Sequence, residues 1–301
     1  SFNLEEGKTL GLVGESGSGK SILCKSILRL LPRTAVVSKD SCIQFNGYEN
    51  LERLSQKELN KLRGRKIAMI FQDPISSLNP VMKIGKQIAE PFLHHMGLNR
   101  KQARKKVIDL MKSVGIPMSE QRFYQYPHQL SGGICQRVAI AIALSCNPKL
   151  LIADEPTTAL DVTVQAEILN LLGSRQFKKK MSMILVTHDL GVVAGRATEI
   201  AVMYAGKIVE QAPTIDLFTN MRMPYTRALM ESIPNLDSPP HTTLTTIDGN
   251  PPDLLNPTRG CSFAPRCSHV QKRCLKAEPL LRSDSKKNHL FACWYPLGEQ
   301  R

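Results

Sequence analysis

In "GLVGESGSGKS", residues 11–21, the spacing of glycine, lysine and serine fits the pattern G-x-x-x-x-G-K-[ST]. Glycines in such a loop let successive backbone N–H groups turn inward and cradle phosphate oxygens. Lys20 adds a positive charge at the β- and γ-phosphates, and the Ser21 hydroxyl is a ligand for Mg²⁺. The pattern predicts a nucleotide-binding loop made of Gly14, Glu15, Ser16, Gly17, Ser18, Gly19, Lys20 and Ser21.

The segments on either side of this loop predict a strand before it and a helix after it. "TLGLVG" is a short apolar run that is typical of a buried strand. "SILCKSILRLLP" puts Leu23, Ile27, Leu30 and Leu31 on one helical face and stops at Pro32. The helix N-terminus then points at the phosphates, as expected for an α/β nucleotide-binding fold.

A second segment, "KLLIADEPTTALD" at residues 149–161, predicts the other half of the site. Leu150–Ala153 is typical of a buried strand of a parallel sheet, and Asp154 and Glu155 follow at its carboxyl end, where such sheets bind ligands. We expect Asp154 to hold Mg²⁺ through water and Glu155 to polarise the attacking water. The alternative is a helix cap or a surface pair of acids.

A third segment, "LSGGICQR" at residues 130–137, puts Ser131, Gly132 and Gly133 at the start of an apolar helix. A hydroxyl, exposed N–H groups and the positive end of a helix form an anion site. The alternative is a simple capped helix start.

Composition leaves two kinds of partner open. The net charge of +14 permits nucleic acid or an anionic membrane surface, but the basic residues are spread out. "NRKQARKKVIDLMKSVG" at residues 99–115 predicts an amphipathic helix with a solvated basic face. The longest apolar run, "VAIAIAL", has seven residues, far fewer than the ~18 that a membrane-spanning helix needs.

Taken in order, these motifs resemble those of the ATP-binding cassette (ABC) ATPases over residues 1 to about 232. Gln72 in "MIFQDP" resembles the Q-loop glutamine, and His188 in "ILVTHD" resembles the switch histidine. The remaining matches are Gly14–Ser21 to Walker A, Leu130–Arg137 to the family signature, Leu151–Glu155 to Walker B and Asp161 to the end of the D-loop.

The resemblance implies a P-loop NTPase (RecA-like) α/β core with a helical signature subdomain at about residues 76–144. It implies ATP and Mg²⁺ as ligands, with Glu155, His188 and Gln72 as catalytic residues. Ser21, Gln72 and Asp154 would hold Mg²⁺, and His188 would contact the γ-phosphate. Two subunits would pair head to tail, so that Ser131, Gly132, Gly133 and Asp161 contact the nucleotide of the partner subunit.

Two departures from the family pattern are visible. Only thirteen residues precede Gly14, and Phe2 is too close to the loop to stack on adenine. We therefore expect the N-terminal edge of the nucleotide-binding domain, residues 1–232, to be incomplete. Cys135 stands in the signature helix where a small polar residue is usual; like Cys24, Cys42 and Cys146, we interpret it as an ordinary reduced thiol.

The rest of the chain indicates the type of cassette. "IAVMYAGKIVEQAP" predicts a hairpin around Ala205-Gly206, "PYTRALMESIP" predicts a short helix, and residues 233–259 form a proline-rich linker. With "QDPISSLNP" and "PYTRAL", residues 260–301 resemble the C-terminal extension of dipeptide, oligopeptide and nickel importer ATPase subunits.

That subfamily resemblance implies the partners and the location. The partners would be a second ATPase subunit (a copy or a paralogue), two membrane permease subunits and, indirectly, a solute-binding protein. The chain would lie peripherally on the cytoplasmic face of the inner membrane and bind no nucleic acid. The rival is a soluble ABC ATPase acting on nucleic acid or ribosomes, but the chain has one cassette and no heptad run. A metal sensor using only the tail would leave the ATP site unexplained.

Cys261, Cys267, Cys274 and Cys293 leave several chemistries open. Disulfide bonds between them are disfavoured, because a protein that uses cellular ATP works in a reducing compartment. Zinc usually takes cysteine pairs two to four residues apart, whereas the gaps here are five, six and eighteen residues. Four thiolates on irregular loops suit a [4Fe–4S] cluster, and the subfamily resemblance implies the same. Zinc and coincidence remain alternatives, and His269 and His289 are expected at the surface.

Overall fold

The computed structural model describes residues 1–158, 160–233, 246–283 and 288–298. Much of the predicted linker, and Ala159 of the "TALD" segment, therefore lie outside the described residues. The chain divides into two compact units. The first unit contains Ser1–Leu4, Thr9–Ser21 and Leu185–Arg301, and the second contains Glu5–Lys8 and Ile22–Ile184.

Helices separate most of the described strands, and five helices follow one another between β2 and β3. The strands are β1 (Thr9–Val13), β2 (Ile67–Ile70), β3 (Leu150–Asp154), β4 (Ser182–Thr187), β5 (Glu199–Tyr204), β6 (Lys207–Pro213), β7 (Arg282–Ser283) and β8 (Leu290–Phe291). The helices are α1 (Lys20–Ile27), α2 (Gln56–Leu62), α3 (Pro74–Ser77), α4 (Ile84–Met96), α5 (Arg100–Ser113), α6 (Ser119–Arg122), α7 (Gly132–Leu144), α8 (Val162–Lys179), α9 (Leu190–Ala194), α10 (Thr214–Thr219), α11 (Pro224–Glu231) and α12 (Lys272–Lys276). None of these described helices is long and apolar enough to cross a membrane.

The first unit contains the strand that leads into the phosphate-binding loop. β1 is buried along its whole length and pairs in parallel with β5, with Gly11 opposite Ile200. β5 and β6 form the predicted antiparallel hairpin, in which Ala205 and Gly206 both have positive φ, as a tight two-residue turn requires. β6 then pairs with β8, and β8 with β7, so the C-terminal extension continues this part of the sheet.

The second unit places two parallel strands with a group of helices. β2 pairs with β3, with Ile67 opposite Leu150. The predicted basic amphipathic helix is confirmed as α5, which buries Ala103, Val107 and Met111 and begins at a capping box of Asn99. Residues 76–144, proposed as the helical subdomain, contain the end of α3 and the whole of α4 to α7.

The helix after the loop is shorter than predicted. α1 ends at Ile27 rather than near Pro32, because Arg29 takes a left-handed conformation (φ 50°) that the helix cannot continue through. As a result Leu30 is exposed, and the buried face is formed by Cys24, Ile27 and Leu28. The prediction that Leu30 and Leu31 lie on a face of this helix is therefore wrong, because both follow its end.

Candidate nucleotide-binding site

The phosphate-binding loop is closed tightly around the Lys20 amine. Lys20 Nζ donates to the carbonyl oxygens of Gly14 at 2.7 Å and Glu15 at 2.9 Å. Gly14 has φ 157°, and a Cβ there would come within 2.2 Å of the Met203 carbonyl oxygen, so only glycine fits. Gly206 N–H also donates to the Ser18 carbonyl at 2.9 Å. The hairpin of β5 and β6 therefore packs against the phosphate-binding loop and supports it.

The loop has further contacts that the sequence did not predict. The Glu15 N–H donates to the Tyr225 hydroxyl at 2.9 Å, and the Glu15 carboxylate pairs with Arg266 at 2.7 Å. The hydrogen bond to Glu15 raises the pKa of Arg266, and burial raises that of Tyr225. Both partners lie in the first unit, but they follow Glu15 by 210 and 251 residues, and no local motif announces them.

His188 follows the carboxyl end of β4, as predicted, and its side chain is exposed. Asp189 caps the next helix by accepting from the Gly191 N–H at 2.7 Å. The histidine is therefore held at a defined strand-to-helix turn in the first unit.

In the second unit, the two predicted carboxylates have different environments. Asp154 is the last residue of β3 and is 2% exposed, whereas Glu155 is partly exposed and has φ 45°. Glu155 Oε2 accepts from Gln72 Nε2 at 3.0 Å and from the Thr158 hydroxyl at 3.0 Å. The structure thus brings together Gln72 and Glu155, which lie 83 residues apart in the sequence. Of the two acids, Asp154 is buried, and Glu155 has a carboxylate held in a fixed orientation.

The signature segment is arranged to leave its helix end exposed. Ser131 is the N-cap of α7 but makes no capping hydrogen bond with its side chain, and Ser131 and Gly132 are both exposed. The Gln136 side chain ties α7 to the Pro156 carbonyl at 2.6 Å. Asp161 caps α8 through the Val164 N–H at 3.0 Å. The side chain of Ser131 is therefore not a helix cap, whereas the side chain of Asp161 is one.

The four cysteines of the extension meet at one small cavity in the first unit. The thiols of Cys261, Cys267, Cys274 and Cys293 line it together with aromatic and apolar side chains. Burial raises the pKa of Cys261 and Cys267, and raises that of Cys293 to about 12. Among the residues that the structure describes, no three His, Cys, Asp or Glu side chains are grouped as ligands of a metal ion.

The two histidines of the extension differ from each other. His269 is exposed at the rim of the cysteine cavity, as predicted. His289 is completely buried, so the expectation of a surface residue is wrong. Its Nε2 lies 2.7 Å from Glu210 Oε1, and this buried pair joins the extension to β6. A buried polar side chain requires hydrogen-bond partners, and His289 supplies one to Glu210 beside the N–H groups of Arg222 and Met223.

Two family models match the chain. The model described as "ABC transporter" matches residues 1–158, and the model described as "Oligopeptide/dipeptide transporter, C-terminal region" matches residues 209–274. The first covers the phosphate-binding loop, the signature and Glu155, and the second covers Arg266 and three of the four cysteines.

Relatives and solved structures agree with these models. The oligopeptide transport ATP-binding protein OppD of Bacillus subtilis (strain 168) is 51% identical over 278 residues, covering 92% of this chain and 77% of the relative. The dipeptide transport ATP-binding protein DppD of the same organism is 49% identical over 303 residues, covering 100% and 88%.

A solved structure gives the same fold. The ATP-binding cassette MJ0796, a dimer bound to ADP and Pi in a post-hydrolysis state, superposes with a TM-score of 0.61 at 28% identity. That superposition covers 71% of this chain and 88% of the cassette. The fold is therefore that of an ABC ATPase, and the chain belongs to the ABC transporter family, within its oligopeptide/dipeptide transporter group.

Proposed function

We propose that this chain is the ATP-hydrolysing subunit that powers an importer of peptides, either dipeptides or oligopeptides, or of a related small solute such as nickel. The observation that carries the proposal is the contact between Gln72 and Glu155 at 3.0 Å, because it orients a carboxylate at the end of β3 in a chain that also has the phosphate-binding loop. The matched relatives named above transport peptides.

The residues divide the chemistry as follows. The amides of Gly14–Ser21 and the Lys20 ammonium bind the phosphates, and Glu155 accepts the proton of the attacking water. His188 contacts the γ-phosphate. Ser21, Asp154 and Gln72 are the oxygen donors that would hold Mg²⁺, and carboxylate, hydroxyl and amide oxygens fit a hard cation. Bound Mg²⁺ neutralises charge that develops on the phosphates.

The remaining predicted contacts require a second subunit. Ser131, Gly132, Gly133 and Asp161 reach the nucleotide of a partner cassette in a head-to-tail dimer, and the exposed Ser131 and Gly132 support this proposal. Two permease subunits complete the importer, with a solute-binding protein acting on them. In this proposal the chain lies peripherally on the cytoplasmic face of the inner membrane. The match to oligopeptide/dipeptide transporters favours this function over one on nucleic acid or ribosomes.

We also propose that Cys261, Cys267, Cys274 and Cys293 hold a [4Fe–4S] cluster. The support is that all four thiols line one cavity, which is the donor set that such a cluster takes. The cavity is otherwise lined mainly by apolar and aromatic groups such as Phe263, and the other potential metal donor on its lining is His269. The cluster would be structural, because the extension is short of core residues and metal–thiolate bonds fold small domains.

The experiment that tests the function is reconstitution. The chain is expressed with permease subunits of a peptide importer, purified from membranes, and placed in vesicles with peptide-loaded binding protein. We expect co-purification with permease subunits and ATP hydrolysis that peptide-loaded binding protein stimulates. A chain that stays in the soluble fraction and binds DNA with a steep salt dependence would overturn the proposal in favour of the nucleic-acid function.

A further inference from the structure

Arg266, in the C-terminal extension, forms a bidentate ion pair with the side chain of Glu15 in the phosphate-binding loop. Its two terminal nitrogens donate to the two carboxylate oxygens at 2.7 Å and 3.0 Å. The Arg266 side chain is 5% exposed and that of Glu15 is 23% exposed. Such a two-point pair is the strongest and most directional form of ion pair that proteins make.

Arg266 is itself held from the opposite side. Its Nε donates to the Asp248 carbonyl at 2.8 Å, and Nη2 donates to the Ile247 carbonyl at 3.1 Å. These two backbone acceptors therefore hold the guanidinium in place independently of Glu15. Because Arg266 is held in place, it positions Glu15, rather than following wherever Glu15 moves.

Glu15 is also held through its backbone. Its N–H donates to the Tyr225 hydroxyl, and the Tyr225 ring packs on Tyr204 and Phe263 with centroids 4.6 Å and 5.2 Å away. Phe263 belongs to the same extension as Arg266. The extension thus supports the loop through an aromatic cluster as well as through an ion pair.

The charge of Glu15 explains why such a grip matters. A carboxylate inside a loop that binds phosphates repels the nucleotide, and the repulsion grows as the site is desolvated. Arg266 neutralises the carboxylate and holds both of its oxygens. Without Arg266, the negative charge would be unpaired within the loop.

The position of Arg266 depends on the cysteine turn. Arg266 ends the 3₁₀ turn Ala264–Arg266, which lies between Cys261 and Cys267. The Ala264 N–H donates to the Cys261 carbonyl at 2.9 Å, and the Cys267 N–H donates to the Ala264 carbonyl at 3.3 Å. Both cysteines line the cavity described above, so the folding of this turn fixes Arg266.

We propose that Arg266 is a positioning residue for the phosphate-binding loop, and that through it the cysteine extension controls how tightly the chain binds nucleotide. The inference rests on the proposed ATP-binding function and adds a residue that contacts no nucleotide itself.

The test is a titration of the purified full chain with the fluorescent nucleotide mant-ATP. Arg266→Gln should weaken binding by roughly tenfold, because a charge-assisted pair is lost and Glu15 is left unpaired. Arg266→Lys should weaken it by about threefold, since lysine keeps the charge without the two-point geometry. Arg259→Gln is the matched control: it makes the same change at an exposed arginine seven residues before Arg266, and should leave affinity unchanged.

A double-mutant cycle separates positioning from general damage. In a Glu15→Gln background, Arg266→Gln should change affinity by less than about twofold, because the charge that it neutralises is gone. An undiminished loss in that background would overturn the inference. So would equal binding by the wild type and Arg266→Gln.

Two further outcomes are diagnostic. Cys267→Ser should weaken mant-ATP binding as Arg266→Gln does. Unchanged affinity in Cys267→Ser would contradict the proposed control of nucleotide binding by the cysteine extension. A wild-type chain that binds no mant-ATP would instead overturn the proposed function itself, and with it the site that Arg266 positions.

Discussion

The side-chain amide of Gln72 donates a hydrogen bond of 3.0 Å to the carboxylate of Glu155, and the Thr158 hydroxyl donates to the same oxygen. Glu155 also has a left-handed backbone conformation, φ 45°, which costs about 1–3 kcal/mol for a residue with a side chain. Two donors and an unfavourable backbone angle hold one carboxylate in one orientation. Such an arrangement is typical of a group that acts on a substrate.

Glu155→Gln should retain ATP binding but lower the turnover by roughly 10²–10⁴, because the amide cannot accept a proton from water. Lys20 and the loop amides are untouched, so the variant should accumulate as an ATP-bound dimer. Steady-state phosphate release, measured with the partner subunit present, checks this. Turnover near that of the wild type would remove Glu155 from the catalytic role.

Thr158→Val offers a graded companion to that variant. It removes the Thr158 hydroxyl, which lies 3.0 Å from Glu155 Oε2 and 3.2 Å from the Glu155 carbonyl oxygen, and leaves the carboxylate in place. We expect a fall in turnover of about tenfold or less, with the affinity for ATP unchanged. A loss as large as that of Glu155→Gln would indicate that Thr158, rather than Glu155, is essential.

Ser131→Arg should leave the ATP affinity of the isolated chain nearly intact, because the dimer places this serine over the nucleotide of the partner. Coupled hydrolysis in the assembled importer should collapse, since the large side chain blocks the γ-phosphate of that nucleotide. Ser113→Arg, on the exposed end of α5, is the control and should hydrolyse normally. If isolated-chain affinity falls as steeply as coupled hydrolysis, the head-to-tail geometry is refuted.

Protein purified without oxygen should be brown and carry about four iron and four sulfide per chain, as a [4Fe–4S] cluster requires. Cys274→Ser should bleach it and make the extension sensitive to protease, while ATP still binds through Lys20 but about tenfold more weakly, because Arg266 lies in the same extension. Cys42→Ser is the control, since Cys42 is exposed and far along the chain from the cavity. A colourless anaerobic preparation with one zinc per chain would decide for zinc.

His289→Ala should destabilise the protein by about 1–2 kcal/mol, because the fully buried Glu210 loses the 2.7 Å contact with Nε2 but keeps the N–H donors of Arg222 and Met223. His289→Gln should recover part of this loss, since its amide supplies a donor where Nε2 lies. His94→Ala changes an exposed histidine and should stay within about 0.5 kcal/mol. Urea unfolding measures all three; an unperturbed His289→Ala would mean that the pair contributes nothing net.

The sequence predicted most accurately where local patterns decide the structure. β1, β3 and the Ala205-Gly206 hairpin are where the apolar runs and the turn residues indicated. Even the pair of acids in "ADEP" was correctly expected at the end of a buried strand. These features depend on neighbours within a few residues, which a sequence displays directly.

What the sequence could not predict are contacts between distant segments. Arg266 follows Glu15 by 251 residues and lies among the cysteines of the extension, yet it contacts Glu15. His289 was misjudged because its partner, Glu210, lies 79 residues earlier on a strand. The sequence does not predict the end of α1, because arginine is not a residue type that indicates a left-handed conformation, which Arg29 takes.

The placement of Tyr225 and Arg266 on Glu15 also sets an order of events during synthesis. A ribosome makes the phosphate-binding loop first and its two supports last, because Arg266 follows Glu15 by 251 residues. At about 5–20 residues per second, the loop waits roughly 13 to 50 s for its final partner. A nascent chain therefore carries the nucleotide loop long before Arg266 is made, and the loop gains this contact only once the cysteine-containing extension has been synthesised.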